Sequence, residues 1–144
     1  MSDYFGEKLN GIDYIQRTGV YAVILNQSKD KLLAVRNGNG HYFLPGGGIE
    51  ANESHQECLE RELIEETGYS VSIGNYIGNA NRYFISSTNV PLLNDGHFYM
   101  CTLLEKINNK SEEDHEIVWL EIDEFERLLF HDHHIWAVNK SIKM

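Results

Sequence analysis

A chain of 144 residues with 42% apolar and 24% charged side chains has the make-up of a folded domain with its own core. Its 22 acidic residues outnumber 12 basic ones, a formal net charge of −10 that argues against nucleic-acid polymers and anionic membranes as partners. A small phosphorylated ligand stays open, because a metal ion can supply the positive charge the chain lacks.

The opening "MSDYFGEKLNG" has no apolar run of the kind a secretory signal needs. No segment approaches the ~18 continuous apolar residues of a membrane span. Cys58 and Cys101 stand far apart and outside any CxxC. They read as small buried hydrophobes in a reducing compartment. The expectation is one cytoplasmic domain over residues 1–144.

Along the chain, "GVYAVILN" and "KLLAVRN", with "QSKD" between them, predict two strands and a turn. "GNG" is a second turn, and "HYFLPGGG" a short strand ending in a glycine-rich loop. Ser54 followed by Glu57 is a capping-box pattern, so a helix starts at Ser54 and ends at Gly68 as a left-handed cap. Within it, Leu59 and Leu63 can anchor one flank in the core. Then come strand-like runs at "YSVSIGNYIGNANRYFISS" (more than one strand), "GHFYMCTLLEKI" and "EIVWLEI", joined by the loops "STNVPLLND" and "NNKSEEDH". Asp123 with Glu126 predicts a helix through Phe130, and "HDHHIWAVNKSIKM" a final helix. Strands interleaved with helices define an α/β layered domain.

The interior helix carries an anomaly. At 100° per residue, Glu62, Glu65 and Glu66 fall within an arc of about 100°, beside the leucine flank instead of opposite it. Two carboxylates ~5 Å apart at an effective dielectric of ~20 repel by about 3 kcal/mol. Three such pairs approach the whole stability of a small domain. Arg61 lies at the edge of the arc and can relieve only part of this. A hard divalent ion, Mg²⁺ or Mn²⁺, relieves more, since such ions take oxygen ligands. The bland alternative is a solvated acidic face. The preceding "GGG", Glu53 and the scarcity of neutralising bases favour the ion.

"GGIEANESHQECLERELIEETGY", Gly47 to Tyr69, resembles the signature of the Nudix hydrolases, G-x5-E-x7-R-E-U-x-E-E-x-G-U with U bulky and apolar. Gly47, Glu53, Arg61, Glu62, Leu63, Glu65, Glu66 and Gly68 match, and Tyr69 fills the last apolar place as an aromatic. The "LPGG" before it is also usual for that family. The resemblance implies the Nudix fold, a mixed β-sheet sandwiched between α-helices. It further implies Mg²⁺- or Mn²⁺-dependent hydrolysis of a nucleoside diphosphate linked to another group. Candidate substrates are nucleoside triphosphates, oxidised ones included, ADP-ribose, nucleotide sugars and dinucleoside polyphosphates.

Residue by residue, it implies metal ligation by Glu62, Glu65 and Glu66 with the Gly46 carbonyl. Glu62 is the simplest group to orient or deprotonate water, and Arg61 braces the cluster through Glu53. In some relatives a loop carboxylate outside the motif serves as base. Here Glu112, Glu113, Asp114 and Glu116 are candidates, with Glu113 and Glu116 preferred as extra ligands. A catalytically silent nucleotide-sensing module is the alternative, although such proteins commonly lose the glutamates retained here. The sequence leaves open whether the chain works alone or as a homodimer.

Substrate contacts are less marked. Tyr83, Phe84, Phe98, Tyr99, Trp119 and Tyr42 could stack a base, but on alternating strands half must face the core. Arg36, Arg82 and His41 are candidate phosphate or ribose contacts. His131, His133 and His134 cluster around Asp132. They read as exposed residues after an Asp132 cap, as a zinc set lacking a cysteine partner, or as a segment over the substrate pocket in which His133 and His134 contact the ligand.

Overall fold

The computed structural model describes residues 3–107 and 115–144. Its strands are β1 (Asp3–Phe5), β2 (Ile15–Val23), β3 (Lys31–Arg36), β4 (Tyr42–Phe43), β5 (Gly46–Gly48), β6 (Tyr69–Ile85), β7 (Pro91–Lys106) and β8 (Glu116–Glu121). The helices are α1 (His55–Thr67), α2 (Phe125–Leu128) and α3 (Asp132–Ile142).

The strands form two sheets where one was expected, a five-stranded β1-β6-β7-β2-β5 and a three-stranded β4-β3-β8. The larger is mixed: β1–β6 and β2–β7 run parallel, β6–β7 and β2–β5 antiparallel. Alternation along β2 divides the core in two. Val20, Ala22 and Ile24 pack with Cys58, Leu59 and Leu63 of α1. Val23 faces the other way, into the cluster holding Phe98 of β7 and Ala137 and Val138 of α3. The larger sheet is thus covered by a helix on each face, the α/β layering anticipated above.

α1 has the ends its sequence specifies. The Ser54 side chain accepts from the Glu57 N–H, the Glu57 side chain accepts from the Ser54 N–H, and Gly68 closes the helix at φ 80°. Leu59 and Leu63 are fully buried, each stabilising the fold by about 2 kcal/mol through burial.

Elsewhere the boundaries move. Residues 69–85 form one long strand whose register against β7 shifts at three places, so irregularities do the work of the expected break. β7 begins at Pro91, inside the expected loop, because residues 92–100 pair with residues 15–23 of β2. A proline tolerates the first place in a strand, where its missing N–H is not needed. The three glycines of "GGG" are themselves a strand, paired with Gly19, Val20 and Tyr21. α2 is shorter than expected, and its N-cap residue, Glu124, makes no side-chain cap. His131, not Asp132, is the N-cap residue of α3, and Asp132 sits in its first turn. No helix among the described residues is long and apolar enough to cross a membrane.

Candidate active site

α1 lies against β5, and this contact sets the site. A Cβ on Gly46 would strike the Val20 carbonyl, and its φ of 139° also favours glycine. A Cβ on Gly47 would stand 2.6 Å from the Glu62 carboxylate. Bare backbone at these positions therefore lets the carboxylates of α1 approach a strand. The Gly46 N–H donates to Glu66 Oε1 at 2.8 Å. The Glu66 and Glu62 side chains are 10% and 14% exposed, whereas Glu65 is 45% exposed.

Arg61 sits among the acids instead of at their edge, which corrects the helical-wheel expectation. Its Nε and Nη2 donate to the two oxygens of Glu53 at 2.6 and 2.9 Å, and Nη1 donates to Glu62 at 2.8 Å and Glu65 at 3.3 Å. Glu50 is 3.6 Å away, and Nη2 also donates to the Gly48 carbonyl. One guanidinium thus faces four carboxylates. Its bonds to Glu53 hold that carboxyl down at about 2, aided by the Glu50 backbone. The same contacts, the Glu53 bond foremost, raise Arg61 further above its already high value. Burial pushes the Cys58 thiol up to about 12, with Glu53 adding to it, so no reactive thiolate is present here. Cys58 and Cys101 are both buried and free.

As they stand, no three His, Cys, Asp or Glu side chains among the described residues are placed to hold a metal ion together. Glu62 and Glu65 point to Arg61 and Glu66 to Gly46. The donor set is nonetheless all oxygen, on one helix face beside backbone carbonyls, and in chemistry it fits a hard divalent ion.

Beside Glu66 opens a cavity of about 170 Å³, lined by Tyr21, Phe43, Leu44, His131 and His134 among others. His115 was not singled out from the sequence, yet its Nδ1 lies 3.5 Å from Glu66 Oε2. A histidine at the end of a polar loop carries no local signal of such a contact. Tyr21, equally unforeseen, lies under Gly46 and accepts from Asn94 at 3.1 Å. Burial pushes its phenol up to about 12 despite the Asn94 bond, and the charges of Glu66 and Glu62 add to burial.

The other expected residues scatter. Arg36 and Glu116 pair in register at the ends of β3 and β8 and line a polar cleft that also includes His115. Glu112, Glu113 and Asp114 lie outside the described residues. Tyr83, on β6, is stacked on Tyr4 and met edge-on by Tyr14.

The histidines are not exposed. His133 and His134 are 0% and 1% exposed. With the Asn94 amide nitrogen donating to Tyr21, its oxygen accepts from His133 Nε2 at 2.7 Å. His133 is thereby held inside the protein, away from solvent. His134 Nδ1 accepts from the Leu44 N–H, and the ring borders the cavity beside Glu66. His131 Nδ1 accepts from Arg82 at 2.6 Å. Burial lowers His131 to about 3 and His133 to about 2, and lowers His134 well below the ordinary value.

Comparison with known proteins agrees with this architecture. The NUDIX domain matches residues 15–139, and the chain belongs to that family. It is similar to a Bacillus subtilis (strain 168) protein named, provisionally, an 8-oxo-dGTP diphosphatase, with 38% identity over 60 residues. That stretch is 42% of this chain and 40% of the relative. An RNA pyrophosphohydrolase of Pasteurella multocida (strain Pm70) is 43% identical over 54 residues, 38% of this chain and 27% of that protein. The match thus spans less than half the length of either relative. Among solved structures, a NUDIX hydrolase from Nitrosomonas europaea superposes with a TM-score of 0.74 over 89% of each chain, at 20% identity, a likeness of fold.

Proposed function

We propose that this protein is a divalent-metal-dependent pyrophosphohydrolase that cleaves a nucleoside diphosphate linked to a further group. The observation that carries the reading is the arrangement of Glu62, Glu65 and Glu66 around Arg61 and β5. Four carboxylates, Glu50, Glu53, Glu62 and Glu65, surround one guanidinium, and Glu66 lies on the same helix face against β5. That surplus of negative charge suits a cation more than it suits a folded chain alone.

Glu62, Glu65 and Glu66 are the ligands, together with the Gly46 carbonyl; Glu116 is the further candidate. When bound there, Mg²⁺ or Mn²⁺ supplies a Lewis acid that draws charge from the diphosphate oxygens and favours deprotonation of water. The chain's own residues do the rest. Arg61 keeps its two bonds to Glu53 while Glu62 and Glu65 turn away from it, so the helix face opens without losing its brace. Gly46 holds Glu66 Oε1 in place. Glu62 orients the attacking water and accepts its proton. The water oxygen bonds to phosphorus, the bridging P–O bond breaks, and the electron pair leaves with the second phosphate. The products are two phosphate monoesters, or a nucleoside monophosphate and pyrophosphate from a triphosphate. Arg36, which lines the polar cleft, meets outer phosphate oxygens in this reading.

The test is a panel of substrates incubated with Mg²⁺, with products identified. It includes ordinary and oxidised nucleoside triphosphates, ADP-ribose, nucleotide sugars and dinucleoside polyphosphates. Because one relative bears the name RNA pyrophosphohydrolase, triphosphorylated RNA 5′ ends belong in it. Monoester release that requires both the metal and Glu62 supports the reading. Binding without cleavage across the panel would leave a sensing module instead.

A further inference from the structure

α3 has two separate faces. At 100° per residue its buried residues, from His133 to Ser141, span an arc of about 140°. Asp132, Ile135, Trp136, Asn139, Lys140 and the following Lys143 span a second arc of about 140° on the opposite flank. With Phe5 of β1 they wall a cavity of about 530 Å³, within the size range of small-molecule sites. None of them lines the cavity beside Glu66, which meets α3 through His134 on the first arc. Phe5 also precedes the family match at residue 15.

The floor of this groove is apolar and one end is basic. Phe5, Ile135 and Trp136 are partly buried against the core, and Trp136 meets Phe98 edge-on at 6.1 Å. β6 makes room for them. Gly78 sits where the register against β7 shifts, at φ 153°, and a Cβ there would stand 2.9 Å from the Trp136 ring and 3.0 Å from Lys140 Nζ. Bare backbone lets ring and ammonium lie side by side, with Lys140 Nζ 5.0 Å from the ring centroid. In a chain with 22 acids and 12 bases, no carboxylate among the described residues forms an ion pair with Lys140 or Lys143. Asp132 is the one acid among the lining residues, and it stands about 12 Å back along the helix from Lys140.

We infer that this groove binds an amphipathic organic anion of the arylcarboxylate kind, its apolar body on Phe5, Ile135 and Trp136 and its carboxylate between Lys140 and Lys143. The two unpaired ammonium groups supply the charge complementarity in a chain that is otherwise strongly acidic. Lysines are point charges on flexible stems, so they select for negative charge and not for the planar fork that an arginine would match. The floor contributes through the apolar area that the ligand removes from water. Asp132 repels an anion from the opposite end, which fixes the direction in which the ligand lies. The site is separate from the acidic helix and does not rest on hydrolysis at Glu62.

The experiment is an NMR titration of the intact protein with 2-naphthoate in EDTA, where no metal can draw the carboxylate to the acidic helix. The chain has two tryptophans, Trp119 and Trp136, so Trp119→Phe identifies the Trp136 indole N–H signal. 2-Naphthylmethylamine, which keeps the body and reverses the charge, and acetate, the charge without the body, are titrated alongside. A saturable shift of the Trp136 signal with 2-naphthoate is expected, at least tenfold tighter than with either control. Lys140→Gln/Lys143→Gln should weaken it at least tenfold, and so should Asn139→Phe, which fills the groove. No saturable shift at Trp136 overturns the site, as does equal binding of the amine or undiminished binding in the lysine variant. Shifts confined to Trp119 would place naphthoate elsewhere and do the same. Shifts of Trp136 that follow protein concentration without any ligand would put a second copy of the chain in the groove and also overturn it. Should Asn139→Phe fail to fold, the exposed lysine pair decides alone.

Discussion

Arg61 holds both oxygens of Glu53, at 2.6 and 2.9 Å, with two of its nitrogens, and offers only the third to Glu62. The paired contact is geometrically fixed and the single one is exchangeable. This is how one residue can brace the helix and still release a ligand. Arg61→Lys keeps the charge and loses the fork. It is expected to lower kcat and apparent Mg²⁺ affinity by about 10–100-fold, the usual effect of removing a group that orients metal ligands. Steady-state rates across a Mg²⁺ titration measure both, and wild-type values would remove Arg61 from the site.

Glu62→Gln and Glu66→Gln keep the shape of each side chain and delete its charge. Each should lower kcat by about 10²-fold or more while circular dichroism stays native. If both retain full turnover on a substrate found by the panel, the assignment of roles is wrong.

A metal that binds only the folded chain stabilises it by mass action, about 2.7 kcal/mol at a concentration 100 times Kd. Melting temperature should therefore climb as Mg²⁺ or Mn²⁺ is raised, and the climb should vanish in Glu62→Gln/Glu65→Gln/Glu66→Gln. A flat profile in the parent chain would mean that the acids bind no ion.

Two groups of residues set the acid limb of stability, in different pH ranges. Burial depresses His131, His133 and His134 from 6.5, to about 3 and about 2 for the first two. The unfolded chain then binds protons that the folded chain refuses, so stability is full above pH ~6.5 and falls steadily below it. Glu53, held at about 2 by Arg61, adds stability above its ordinary 4.5 that fades as pH drops toward 2. Thermal melts from pH 8 to 3 should show the decline starting near 6.5. Replacing Glu53 by Gln should leave that onset in place and alter only the lower part.

The leucines of α1 anchor the acidic face. Leu63→Ala should destabilise the fold by about 2–5 kcal/mol, and Ser54→Ala, which removes half of the capping box, by about 1 kcal/mol. Urea unfolding at equal slope separates these effects from any on catalysis.

α1 was legible in the sequence because its signals are local. Ser54 and Glu57 cap it, Gly68 ends it, and Leu59 and Leu63 mark its buried side. The long β7 was not, because residues 92–95 are ordered by partners 77 positions away in β2. Arg61 was misjudged for a related reason. A wheel places Cα directions, while a long guanidinium side chain reaches across to Glu53 and Glu62 together. The histidines look polar in a linear reading. They are buried because Asn94, Leu44 and Arg82, each distant in sequence, supply their hydrogen bonds. Glu62, Glu65 and Glu66 could be picked out because their shared helix face needs no tertiary information.

Tyr21 borders the bare backbone of Gly46 on one side and the Asn94–His133 chain on the other. Saturation mutagenesis at this codon should leave almost no survivors. Even phenylalanine, which keeps the ring, would strand the amide of Asn94 without an acceptor. An engineer who wants to widen the neighbouring cavity does better to begin at Phe43 and leave Tyr21 alone.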